Sequence, residues 1–229
     1  VTPDIVKTLV AARTDGQFVV LATRLSDGVQ RLVSELDEAD SLREEAMQAL
    51  RRDESRTVDL DGESWFLHVF APAFRLVIVG AVHIAQALVP LAACVGYAVT
   101  VIDPRRSFAT SDRFPGVTLL QDWPDTALES VRLDARTGIV ALSHDPKLDD
   151  PALDKALRSE AGYIGALGSR KSHASRLERL RAMGHTDDTL KRIRGPVGLP
   201  LGAVTAPEIA LSIVAELVAV RRGSALAQR

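Results

Sequence analysis

A chain of 229 residues with 46% hydrophobic and 25% charged side chains has room for one large domain or two modest ones, and its composition excludes wholesale disorder. A net charge of −2 argues against nucleic acid as the main partner, and no apolar run approaches the roughly 18 residues needed to cross a bilayer. With no charged-then-apolar leader and one cysteine, Cys94, a cytoplasmic protein is expected, free of a disulfide framework or cysteine-only zinc site.

In chain order, Thr2-Pro3-Asp4 predicts an N-cap with proline at the first helical position, opening a helix to about residue 12. Segments 18–25 and 29–34 flank Asp27-Gly28 and predict a hairpin. Residues 38–52 read as an exposed, charged helix. Segments 56–60 and 63–70 flank a second turn, Asp61-Gly62. These elements predict a small α+β domain over residues 1–73, closed by Ala71-Pro72-Ala73.

The pattern then changes. Leu76-Val77-Ile78-Val79 is a continuous apolar run, as expected of a parallel strand buried on both faces. A helix follows to residue 95 and stops at Gly96, a natural C-cap residue. Strands are predicted at 97–102, 117–120, 138–142 and 162–166, and helices at 151–158 and 172–183. Thr205-Ala206-Pro207-Glu208 is a capping box opening an apolar helix to about residue 220. This alternation predicts an α/β fold over residues 74–229, a Rossmann-like doubly wound parallel sheet.

Three clusters carry candidate chemistry. The first turn, Gly80-Ala81-Val82-His83, has the leading glycine of a dinucleotide fold but Val82 where a second glycine would admit pyrophosphate. Asp103 lies 23 residues beyond Gly80, where a carboxylate can take ribose hydroxyls. A retained fold with altered nucleotide affinity is the competing reading. Ser143-His144-Asp145 follows a strand, at the expected mouth of the crevice, either as a proton-handling pair or as a turn cap. Gly165-Ala166-Leu167-Gly168-Ser169-Arg170-Lys171 places two cations at a helix start, where the helix dipole opposes them unless an anion is bound. From Arg170 to Arg194, eight Lys/Arg face three acids, the alternative being a solvated pair of helices.

Other residues invite inert readings: Cys94 as a buried structural thiol, His68 as packing beside Phe66 and Phe70, and His185 as part of a helix entry. No HxxxH or HExxH spacing and no serine-centred elbow occurs, so neither a metal site nor a hydrolase triad is expected.

Taken together, Val77-Ile78-Val79-Gly80-Ala81-Val82-His83, Val101-Ile102-Asp103-Pro104-Arg105, Ser143-His144-Asp145, Tyr163 to Lys171, Gly195-Pro196-Val197-Gly198-Leu199, Pro207-Glu208-Ile209-Ala210 and Ala215-Glu216 resemble the XdhC/CoxI family. The resemblance runs from about residue 74 to 223. It departs at Val82, where the family's turn reads Gly-Ala-Gly-His, and in residues 1–73, which lack the family's N-terminal cysteine motif and look like the shorter members found beside carbon monoxide dehydrogenase-type enzymes. The resemblance implies a non-catalytic maturation chaperone for molybdenum hydroxylases such as xanthine or carbon monoxide dehydrogenase. It would bind molybdopterin cytosine dinucleotide and assist sulfuration and insertion. Expected partners are the large subunit of the apoenzyme, a cysteine desulfurase and a second copy of the chain, with neither nucleic acid nor membrane. Cofactor contacts would fall on Gly80, Ala81, Val82, His83, Asp103, Pro104, Arg105, Ser143, Gly165, Leu167, Gly168, Ser169, Arg170 and Lys171, with His144 and Asp145 near the reactive end. An FAD- or NAD-binding redox protein and a docking scaffold are the alternatives.

Overall fold

The computed structural model describes residues 2–33 and 42–228. The chain divides into two compact units, Val1–Pro72 and Ala73–Arg229.

In the first unit, helix α1 (Pro3–Thr14) precedes strands β1 (Val19–Arg24) and β2 (Gln30–Val33), then helix α2 (Arg43–Arg52) and strands β3 (Arg56–Leu60) and β4 (Glu63–Phe70). The antiparallel sheet runs β2-β1-β4-β3, with Val20 opposite Val33 and Thr23 opposite Gln30 across the first hairpin. Both Asp-Gly turns form as expected, and Asp61 and Gly62 both take positive φ, 52° and 80°. The helix expected over 38–52 is described only from Arg43, residues 38–41 lying outside the described segments. It is not simply exposed: Ala46, Ala49 and Leu50 make a buried stripe packed with Trp65 and Leu67 of β4. His68 lies on the other face of β4, its ring 5.9 Å from Phe66 and 4.3 Å from Phe70.

The second unit holds β5 (Phe74–Val79), α3 (His83–Cys94), β6 (Tyr97–Ile102), β7 (Thr118–Leu120), α4 (Pro124–Ala127), β8 (Thr137–Ala141), α5 (Pro146–Leu157), β9 (Tyr163–Ala166), α6 (Arg170–Ala182), α7 (Asp187–Leu190), β10 (Ile193–Arg194) and α8 (Ala206–Arg221). Six parallel strands run β10-β9-β8-β5-β6-β7. The order reverses between β5 and β8, so chains leaving these two strands diverge to opposite halves of the sheet. Side chains of β5 alternate: Leu76 and Ile78 pack with Leu88 of α3 and Ile213 and Leu217 of α8, while Val77 and Val79 pack with Leu148 and Leu153 of α5 and Leu180 of α6. Among the described residues, no helix is long and apolar enough to cross a membrane.

Three local expectations change, and one strand was not expected. Helix α5 starts at Pro146, not 151, because Asp145 caps it and Pro151 is carried inside. Helix α6 starts at Arg170, two residues early, behind the Ser169 cap. The two-residue β10 is too short to leave a hydrophobic pattern. Cys94 is exposed rather than buried: the buried stripe of α3 is Ala85, Leu88, Val89 and Ala92, and a residue nine positions beyond Ala85 turns roughly 180° away.

Candidate functional site

Parallel strands deliver their following loops to one edge of the sheet, and the candidate residues gather there. After β5, Gly80 sits at φ 106°, and a Cβ on it would come within 2.9 Å of the Ser143 backbone nitrogen. Glycine is required at this point because the loop after β8 passes against it. Ala81 is fully buried and its N–H donates to Asp103 Oδ2 at 2.8 Å. Val82 is the half-buried N-cap of α3, packed against the apolar cluster, and His83 opens the helix on an exposed position.

Asp103 corrects one expectation. It is fully buried; Oδ1 accepts from the N–H and Nε of Arg105, both at 2.9 Å, and Oδ2 accepts from Ala81 and from Arg105 Nη2 at 2.7 Å. With both oxygens engaged, it braces the Gly80 turn instead of offering itself to a ribose. Pro104 lies half-buried beside it, and the Arg105 guanidinium stacks 4.4 Å above the Phe108 ring. Burial pushes the Asp103 carboxyl up, but the bonds from Arg105 and Ala81 prevail and hold it below its ordinary value. A lowered folded pKa contributes stability above the unfolded value of about 3.9 and loses it as pH falls through the folded value. Asp103→Asn is therefore expected to destabilise at pH 7 and to lose less further stability in acid than the wild type, read from urea unfolding at pH 7 and pH 3.

After β8, Ser143 Oγ donates to Asp149 Oδ1 at 2.6 Å and accepts the Asp145 N–H at 3.1 Å. His144 is exposed at φ 62°, a left-handed conformation uncommon outside glycine. Asp145 does not serve as the orienting partner of His144: its Oδ1 accepts the Lys147 N–H at 2.9 Å and caps α5.

After β9, the expected clamp divides. Ser169 Oγ accepts the Ser172 N–H and caps α6. Lys171 lines a polar cavity of 340 Å³ with His144, Asp149, Ser172, Ser175 and Arg176. Arg170 lines a different, largely apolar cavity of 650 Å³ with Leu167, Val197, Leu199, Leu201 and Ile209. Consecutive helical residues do not face the same way, so the two cations serve opposite sides of one helix start. Gly168, at φ 140°, makes room for Ser172 Oγ, which a Cβ would approach to 2.5 Å. Gly165 lies buried in β9, its Cβ space filled by Val197 and Tyr163.

Sequence reasoning missed the charges beneath this edge. Asp149 and Arg176 are 1% and 3% exposed. Arg176 Nη2 donates to the Leu167 carbonyl at 2.8 Å and lies 3.6 Å from Asp149 Oδ2, linking the loops after β8 and β9. Burial pushes the Asp149 carboxyl up despite Ser143 and Arg176, and pushes the Arg176 guanidinium down despite Asp149 and Asp150. The available signal was helical spacing: Arg176 shares the face of Leu180, four residues on. A second buried acid, Glu216 of α8, accepts from Tyr163 Oη at 2.6 Å and the Gly198 N–H at 2.8 Å, and lies 3.5 Å from Arg194. His185 is itself buried, its Nε2 2.7 Å from Asp154 Oδ1, while the neighbouring Thr186 caps α7. Among the described residues, no group of three His, Cys, Asp or Glu side chains is placed to hold a metal ion.

An α/β unit whose parallel-strand loops assemble a charged edge defines a class, and the comparisons place the chain within it. Residues 76–217 match the XdhC Rossmann domain, and the chain belongs to the XdhC/CoxI family. The Escherichia coli K12 protein PaoD, a molybdenum cofactor insertion chaperone, is 34% identical over 152 residues, covering 66% of this chain and 42% of PaoD. A Bacillus subtilis 168 protein described as a probable xanthine dehydrogenase component is 32% identical over 158 residues, covering 69% of this chain and 46% of that one. A crystal structure described as a xanthine dehydrogenase from Bacillus halodurans superposes with a TM-score of 0.74 at 25% identity, over 96% of this chain and 67% of that one. The chain spans less than half the length of the curated relatives it matches.

Proposed function

We propose that this protein is a maturation chaperone that binds the molybdenum cofactor and delivers it to a molybdenum hydroxylase. The ligand is molybdopterin cytosine dinucleotide, held at the carboxyl edge of a doubly wound Rossmann sheet formed by residues 74–229. Residues 1–73 are a domain of their own. The observation carrying this reading is the pair of cavities on either side of the β9–α6 loop, one lined by Lys171 and Arg176, the other largely apolar. A ligand with phosphates and flat rings needs both kinds of wall. The fit is supported by buried polar atoms in the polar cavity's lining, Arg176 Nε and Nη1, that lack a hydrogen-bond partner. The family membership and the likeness to PaoD support the same reading.

When bound, the cofactor supplies the client's molybdenum chemistry; the residues here hold and orient it. Lys171 and Arg170 take phosphate oxygens from the two sides of the loop. His144, exposed on the polar cavity's wall, would hold the ligand's reactive end through a hydrogen bond. The partners are a cysteine desulfurase and the large subunit of the apoenzyme. The chain acts as a homo-oligomer in the cytoplasm, and it turns over no substrate of its own.

Native purification followed by mass spectrometry and molybdenum analysis tests this. Molybdenum and pterin in the retained ligand are expected; a flavin or NAD in their place overturns it. Arg170→Ala with Lys171→Ala is expected to lower retention roughly tenfold or more, with circular dichroism unchanged, because charge-assisted bonds to phosphate are lost at an exposed loop. Unchanged retention would count against these two residues as the clamp.

A further inference from the structure

We propose that the polar cavity is a phosphoryl site anchored by the buried Arg176, with Lys171, Ser172 and Ser175 completing it. This deepens, and rests on, the reading that this edge of the sheet takes a phosphate-bearing ligand. It assigns the phosphate to a residue beneath the surface and not to the exposed loop alone.

The case starts from Arg176 itself. Its side chain is nearly inaccessible, yet it lines the cavity, and its hydrogen-bonding capacity is only partly used. Nη2 donates to the Leu167 carbonyl, while Nε and Nη1 have no hydrogen-bond partner among the described residues. Its acidic neighbour does not take up the remaining donors. Asp149 Oδ2 lies 3.6 Å away, beyond hydrogen-bond length, and is itself without a hydrogen-bond partner. A pair built only for structure gains most by closing to a direct bidentate contact, as Arg179 does with Asp150 on the same helix pair. Arg176 is instead held back by Leu167, with donors left over.

The rest of the wall suits an anion. Lys171 contributes an exposed ammonium and Ser175 an exposed hydroxyl, while Ser172 Oγ lines the wall and donates to the Ser169 carbonyl at 2.9 Å. The cavity lies against the first turns of α6, a 13-residue helix with no acid in its first turn, so the helix dipole adds positive potential. Asp149 is the one carboxyl among the lining residues. Its charge is opposed at close range by Arg176, 3.6 Å away, and the remaining charged groups of the lining, Lys171 and Arg179, are cations. A phosphoryl oxygen has the size, charge and acceptor geometry that these donors lack. Its source is either the diphosphate of a nucleotide-type ligand or a free inorganic anion.

Calorimetric titration of the full chain with inorganic pyrophosphate, and in a parallel arm with cytidine diphosphate, tests the site. Pyrophosphate is expected to bind, with Lys171→Ala and Arg176→Lys each weakening it roughly tenfold. Ser175→Ala, an exposed hydroxyl whose loss leaves the fold unthreatened, is expected to weaken it several-fold. Arg181→Ala removes one positive charge from the same helix outside the cavity and is expected to leave affinity unchanged. Tighter binding of the nucleotide identifies a nucleotide-type source; equal binding identifies a free anion, and both support the site. Absence of pyrophosphate binding, or an Arg181→Ala effect as large as that of Lys171→Ala, overturns it. Failure here while purified protein still carries molybdenum and pterin leaves the proposed function standing. Binding here without a retained pterin does the reverse.

Discussion

Glu216→Ala is expected to destabilise the second unit by about 3–5 kcal/mol, the scale of a buried ionic group stripped from its partners. The carboxylate is fully buried, and three elements meet on it: Tyr163 of β9, Arg194 of β10 and the backbone N–H of Gly198 in the following loop. Alanine leaves the Tyr163 hydroxyl and the Gly198 N–H buried without this acceptor, and such groups, at about 1–3 kcal/mol each, make up most of that cost. The loop has little freedom to adjust, because Gly198 packs so closely on α8 that a Cβ would reach Ser212 Oγ at 2.3 Å. Glu216→Gln keeps one acceptor oxygen and is expected to cost about half as much. Urea unfolding followed by far-ultraviolet circular dichroism reads both. A Glu216→Ala effect under about 1 kcal/mol would show that the acid is not the brace described.

The same contrast between local and distant information explains what the sequence could reveal. Elements whose signal is carried by contiguous residues were legible: the apolar run of β5, both Asp-Gly turns and the Thr205–Glu208 capping box all stand where their patterns place them. The edge of the sheet was legible as a position but not in its wiring. Ser143, Asp145 and Ser169 follow strands as expected, yet loops there leave backbone N–H groups to satisfy, and short polar side chains bond them first. Asp103 met the spacing of a ribose acceptor while its oxygens were engaged by Ala81 and Arg105. Arg170 and Lys171 read as one clamp because they are adjacent in sequence, the relation that separates residues on a helix. Asp149 and Arg176 were invisible for the opposite reason. They lie 27 residues apart on two helices, each inside a charged stretch that resembles a solvated face, and only the packing of α5 on α6 brings them together.

That buried pair yields the second large effect. Arg176→Met is expected to destabilise by about 3–5 kcal/mol near neutral pH, because it leaves Asp149 buried without its cation. The defect has a definite pH sign. Burial already raises the folded pKa of Asp149, so its contribution is fully present below the unfolded value of about 3.9 and is lost as pH rises through the folded value. The groups that oppose this rise are Arg176 on α6, Ser143, and His144 when charged. Removing Arg176 raises the carboxyl further. The variant's deficit relative to wild type should therefore shrink toward pH 4 and widen toward pH 8. Asp149→Asn abolishes the titration while an amide oxygen still accepts from Ser143. The double variant Asp149→Asn/Arg176→Met is expected to recover about 1–3 kcal/mol relative to the sum of the single changes, the usual coupling of residues in contact. Urea unfolding of all four proteins at pH 4, 6 and 8 measures that coupling directly. Additive effects with no dependence on pH would mean that Asp149 and Arg176 are neighbours without being partners.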